Sequence, residues 1–216
     1  MGSLIKNLIE NRDYDELRHT LLENPGLANE GISYDDVNTA KASPLHRICD
    51  GVFSGKYTDE EAVEMAKIFL ENGANINGGK LVEKRDTPLI AASSLHADKV
   101  AILYIEKGAD VHHAGCHGGT ALHWASWCGR PEVVRRLIQA GAEINKRCID
   151  FNATPLFWAI HGLKNYASNN IDNCLACVRM LIQSGADKSI PNGEGTTVFD
   201  LLNDEDRELR ELLSQD

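Results

Sequence analysis

Between residues 112 and 117 the chain reads His-His-Ala-Gly-Cys-His, four nitrogen or sulfur donors within six positions, and Cys148 follows 32 residues after Cys116. Imidazole and thiolate are zinc ligands, so His112, His113, Cys116, His117 and Cys148 would hold a metal if three or four of them converged. Their spacing is no tetrahedral signature, and the alternative is an ordinary polar surface. Cys174 and Cys177 form a C-x-x-C pair, the arrangement of zinc ribbons and dithiol centres, but no second C-x-x-C and no H-x3-H accompanies it. His46 and His123 have no nucleophile beside them. No P-loop, dinucleotide glycine motif, H-E-x-x-H or nucleophile elbow occurs. The chain is therefore expected to be no enzyme, with no cofactor and no resident metal.

A second set of residues suits binding rather than catalysis. Trp127 and Phe151, with Arg147 nearby in sequence, are the residue types that carry most interface energy. Trp124 and Trp158 lie at matching places and are expected to pack between helices.

The elements that must position these residues repeat. Gly119 to Asn145 reads as a short helix, a turn at Gly129-Arg130-Pro131, a second helix and a glycine stop. Thr120 can N-cap the first helix, Pro131 suits the first turn of the second, and Gly141 stands where a helix end needs positive φ. Val133, Val134, Leu137 and Ile138 recur at helical spacing. The openings "ASPLH", "DTPLI" and "ATPLF" start further copies at Ala42, Asp86 and Ala153; Thr87, Thr120 and Thr154 are 33 and 34 residues apart. In this register Cys177 matches Val133, a core position, while Cys116 and Cys148 fall in the extended segments between units and are the thiols expected to react first.

A period near 33 with a T-P-L-H-like opening resembles the ankyrin-repeat family. The resemblance implies an all-α ankyrin-repeat solenoid of about six repeats including two caps. It reads as a single domain over 1–216: an N-terminal cap and connection at 1–41, four inner repeats at 42–190 and a C-terminal cap at 191–216. It also implies that His46 and His123 bind neighbouring backbone and fix the hairpins above them. Ile90 and Phe157 replace that histidine, so packing must hold their hairpins.

The ends read as caps because each has one apolar and one polar face. Leu4, Ile5, Leu8 and Ile9 line one helix, and Leu17, Leu21 and Leu22 line a second that Asp13 or Asp15 can cap. The connection from Tyr34 to Lys41 is polar and turn-rich. At the other end Thr197, Phe199 and Leu201 share a face, and Asp200 stands at the histidine position. Two inner units carry insertions, near 50–60 and 162–173, that read as loops projecting opposite the fingers.

Net charge is −10, which disfavours a phosphate-tracking surface and hence nucleic acid. No apolar run approaches the roughly 18 residues of a membrane span. The N-terminal stretch does not read as a signal peptide, so the expected setting is cytoplasmic, with reduced thiols. The function the resemblance implies is protein–protein interaction by a monomer. The partner is expected to contact Trp127, Cys128 and His161 from the short helices and Cys116, His117, Arg147, Asp150 and Phe151 from the fingers. Two alternatives remain: a regulatory or immunity-type subunit that inhibits an enzyme, and a metal-dependent sensor or enzyme built on the His/Cys fingers.

Overall fold

A computed structural model describes residues 2–35, 37, 40–166 and 170–214. These fall into two compact units: Met1–Val82 with Asp86–Asp110, and Glu83–Arg85 with Val111–Asp216. The first holds α1 (Gly2–Asn11), α2 (Tyr14–Glu23), a 3-10 turn (Pro25–Asn29), the strands β1 (Ile32–Ser33) and β2 (Lys41–Ala42), α3 (Pro44–Phe53), α4 (Asp59–Glu71), α5 (Pro88–Ser94) and α6 (Asp98–Glu106). The second holds a 3-10 turn (Cys116–Gly118), α7 (Ala121–Trp127), α8 (Pro131–Gln139), α9 (Pro155–Tyr166), α10 (Ile171–Gln183) and α11 (Arg207–Ser214).

The periodic signals in the sequence become helices because each has a start and a stop. Ser43 and Thr87 accept from the backbone N–H three residues on, at 3.3 Å each, and Thr154 does the same for Phe157 at 3.3 Å. Thr58 and Glu61 form a reciprocal capping box at the head of α4. The second helices stop at Gly73, Gly108, Gly141 and Gly185, all at φ between 81° and 92°, where a Cβ is disfavoured.

In the first unit α1 packs on α2, α2 on α4, and α3 on both α4 and α5. The cap helices bury Ile5, Leu8, Ile9, Leu17 and Leu21. Leu4 is 47% exposed and Leu22 70%, which corrects their assignment to the sealed faces. Each lies about 100° around the helix from the i, i+3, i+4 stripe that faces inward. The connection from Tyr34 to Lys41 lies partly outside the described residues. Its ends are tied by an antiparallel ladder with Ile32 opposite Ala42.

Neither insertion is a plain loop. Residues 50–53 extend α3 to ten residues against seven in α5, and α9 reaches twelve. Gly51 makes room for the Tyr57 ring, whose hydroxyl donates to Ile48 O at 3.1 Å and folds the remainder back on α3. In the later insertion residues 167–169 lie outside the described residues; Asn170 resumes the chain and donates to Gly129 O at 3.2 Å.

The C-terminal unit has one helix rather than two. Residues 198–201 form a turn, with Val198 buried and Phe199 exposed, opposite to the expected face. Thr197 N–H and hydroxyl both donate to Asp200, so the start signal is made, but no helix follows directly from it. Leu209, Leu212 and Leu213 of α11 are buried, as a cap requires.

Candidate functional site

The extended segments of the second unit are pinned to one another by backbone. Lys84 N–H donates to Ala114 O at 3.1 Å, Asp150 N–H to His117 O at 3.1 Å, and Gly193 N–H to Phe151 O at 2.8 Å. This fixes His117, Asp150 and Phe151 at the tips. His117 holds φ at 56°, an unfavourable backbone for a residue with a Cβ that surrounding bonds must maintain. Its Nδ1 stands 3.1 Å from Asp150 Oδ2, while Lys84 Nζ donates to Asp150 Oδ1 at 2.7 Å. These bonds, Lys84's first and then that of His117, hold the Asp150 carboxyl below its usual range.

The short helices supply aromatic side chains to the same place. α7 packs along α9, and Gly162 of α9 lies close under the backbone of Trp127. Trp158 meets Trp124 edge to face at 5.1 Å between centroids, Trp127 at 5.6 Å and Phe151 at 6.3 Å. Trp127 stacks on His161 at 5.0 Å and 25°. His117 lies 5.4 Å from the Phe151 ring. Well-placed aromatic pairs contribute about 0.5–1.5 kcal/mol each beyond burial, so this cluster is rigid. Gly119 admits it: a Cβ there would come 3.0 Å from Trp158 and 3.3 Å from Trp124 Nε1.

Between tips and helices lies an open cleft of about 790 Å³. Of the eight residues expected at the binding face, Trp127, His161, His117, Asp150 and Phe151 line it. Cys116, Cys128 and Arg147 do not. Arg147 is committed elsewhere, its Nε donating to Asn152 O at 2.9 Å and a terminal nitrogen to Pro191 O at 2.6 Å, so it braces a finger. The cleft also takes in Trp124, Phe157 and Trp158, and from the C-terminal turns Asn192, Gly193, Glu194, Thr196 and Leu201. The matching positions of Trp124 and Trp158 were a usable signal. The C-terminal turns had none, because their folding back on Phe151 depends on a backbone bond. Trp124 Nε1 and His161 Nδ1 are shut off from solvent and have no hydrogen-bond partner among the described residues.

The histidines and cysteines go separate ways. His112 approaches Glu143 at 3.5 Å, and His113 Nε2 lies 2.8 Å from Arg85 O. Among the described residues no group of three or more His, Cys, Asp or Glu is gathered to hold a metal ion. Cys148 is buried, which corrects its place among the reactive thiols. Its N–H donates to Ala153 O at 2.9 Å and its Sγ accepts from Ala153 N–H at 3.4 Å, at the base of the finger rather than its tip. Burial raises the Cys49 thiol well above its ordinary range and raises that of Cys174. A maleimide titration followed by peptide mapping should therefore label half-buried Cys116 and Cys128 first, with Cys49, Cys148, Cys174 and Cys177 slow; early labelling of Cys177 would show the repeat register to be wrong.

His123 plays the part expected of the repeat histidine. Its Nδ1 accepts from Thr120 N–H at 3.1 Å and lies 2.9 Å from Thr120 Oγ1, and its Nε2 faces Ala153 O at 3.2 Å. Ile90 and Phe157 are buried at the same position of their units.

Helix pairs with Ser/Thr caps, glycine stops and tied fingers define a class of repeat protein. Residues 57–148 match the family model of ankyrin repeats (3 copies), and on that stretch the chain belongs to the ankyrin-repeat family. It is 36% identical over 91 residues to a putative palmitoyltransferase ZDHHC13 of Danio rerio, covering 42% of this chain and 13% of that protein. It is 30% identical over 140 residues to ankyrin repeat protein OPG189 of Variola virus, covering 63% and 24%. With E3 ubiquitin-protein ligase KEG of Arabidopsis thaliana it shares 31% over 134 residues, covering 59% and 8%. The chain thus spans a quarter or less of the length of these relatives. Ankyrin repeats generally mediate protein–protein interaction. No helix among the described residues is long and apolar enough to cross a membrane.

Proposed function

We propose that the chain is a non-enzymatic protein-binding module whose partner docks on the fingers and short helices of the second unit, over the aromatic cleft. One observation carries this: Phe151 stands 52% exposed at a finger tip, and half-buried Trp127 lines the same cleft. Large aromatics left in water beside a concave apolar surface are the usual core of an interface. The rings are held by one another and the tips by backbone bonds, so little ordering entropy is lost when a partner docks. The reading takes the module to be a cytoplasmic monomer, and the net charge of −10 disfavours nucleic acid as the partner.

Affinity capture from native cells with the wild-type chain, Phe151→Ala and Trp127→Ala tests it. The proteins retained by wild type should be lost from both variants. An unchanged retained set would overturn the reading.

A further inference from the structure

We propose that the cleft receives a cationic side chain, arginine above lysine, presented by a segment of the partner; this rests on the docking reading above. The argument begins with charge. The two carboxylates at the cleft are Asp150 and Glu194, and among the described residues no lysine or arginine lines it. Asp150 is already engaged by Lys84 and His117. Among the described residues Glu194 forms no side-chain bond: its backbone N–H donates to Asn192 Oδ1 at 3.0 Å, and the residue is exposed. An anionic group would meet Glu194 with no cation lining the wall to offset it, whereas Asp150 is already offset by Lys84. A cation would find Glu194 at the rim and indole rings within.

The second part is the aromatic lining. Every tryptophan of the chain, Trp124, Trp127 and Trp158, borders this one cleft. Indole is the best partner for a cation, which is attracted when it lies within about 6 Å of the ring centroid. Guanidinium also stacks flat on aromatic rings and is more weakly hydrated than ammonium, so it loses less on entering. The methylene stem of arginine or lysine covers apolar wall on the way in. The cleft is much larger than one such side chain, leaving room for the residues on either side of it. The chain's charge of −10 draws a basic segment in at long range.

The arrangement supplies its own probe, because all three fluorophores border the site. Capped pentapeptides Gly-Gly-X-Gly-Gly, with X as Arg, Lys, Leu, Pro or Glu, are titrated into the full chain while tryptophan emission is followed. The arginine peptide should change the emission and bind at least about threefold more tightly than the leucine peptide, with lysine between them. Added salt should weaken the arginine peptide and leave the leucine peptide unchanged. Glu194→Gln should weaken arginine binding about twofold to threefold without altering leucine binding, and Arg135→Ala on α8 should change neither. Leucine or proline binding as tightly as arginine would overturn the proposal, as would silence toward the arginine peptide at about 10 mM. If the peptides fail while Phe151→Ala still abolishes capture of the partner, the cation claim falls and the docking reading stands. If both aromatic variants keep the partner, the docking reading itself falls.

Discussion

Acidification from about pH 6.5 to pH 4 is expected to cost the second unit roughly 3 kcal/mol through one side chain, His123. Burial is the leading cause that lowers its pKa from 6.5 to about 4, and its hydrogen bond to Ala153 only partly opposes that. The geometry agrees. Nδ1 accepts from Thr120 N–H, so the proton sits on Nε2, and protonating Nδ1 would break the Thr120 bond inside the core. The sign follows from the unfolded chain, where an exposed histidine takes up its proton near pH 6.5. Between that value and about 4 the unfolded state binds a proton that the folded state refuses. Stability is therefore complete above pH 6.5 and is lost as the pH falls through the window. His46 in the first unit shifts in the same direction, again chiefly through burial. The carboxylates held low, Glu132 and Asp150, add to the loss only at the acid end of the window, where the unfolded chain begins to protonate them near 4.5 and 3.8. His123→Ala should lower stability at neutral pH by about 2–4 kcal/mol and flatten the acid loss. Urea melts at pH 7 and 4.5 check both. Parallel curves for wild type and variant would mean that His123 is not what the acid reaches.

Gly162→Ala should destabilise the second unit and weaken partner binding together. In a helix interior alanine is favoured over glycine by about 1 kcal/mol, so propensity alone forecasts a gain. Position 162 reverses it. A Cβ there would lie 2.5 Å from Trp127 O and 3.1 Å from its Cα, and these are backbone atoms that no rotamer change can move. α9 would have to retreat from α7, with an overpacking cost of about 1–3 kcal/mol that exceeds the propensity gain. Phe157, Trp158 and His161 ride on α9 and Trp124 and Trp127 on α7, so the retreat would also disturb both walls of the cleft. A higher melting temperature for the variant would contradict the close approach.

What the sequence disclosed, and what it hid, divide along the range of the interactions. Helix starts at the repeat positions Ser43, Thr87 and Thr154 and the glycine stops that follow were legible because caps act within four residues. Leu4 and Leu22 were misplaced because adjacent apolar residues on a short helix blur its stripe. Cys148 was misplaced because its burial depends on a finger turning back to Ala153. At the cleft, Trp127, His117, His161, Asp150 and Phe151 followed from one repeat register. Arg147 did not, since whether an arginine faces a partner or braces a carbonyl depends on distant backbone. The wall from Asn192 to Leu201 was invisible for the same reason.

The central claim is that the partner docks on this cleft, and calorimetry with the captured partner tests it most directly. Trp127→Ala should raise Kd about thirtyfold or more, equivalent to roughly 2 kcal/mol, and Phe151→Ala should do so while barely shifting the melting temperature. Arg135→Ala, outside the cleft, should leave Kd within about twofold of wild type. Unchanged Kd for Phe151→Ala and Trp127→Ala, with melting temperatures lowered, would show these rings to be packing residues and would contradict the account.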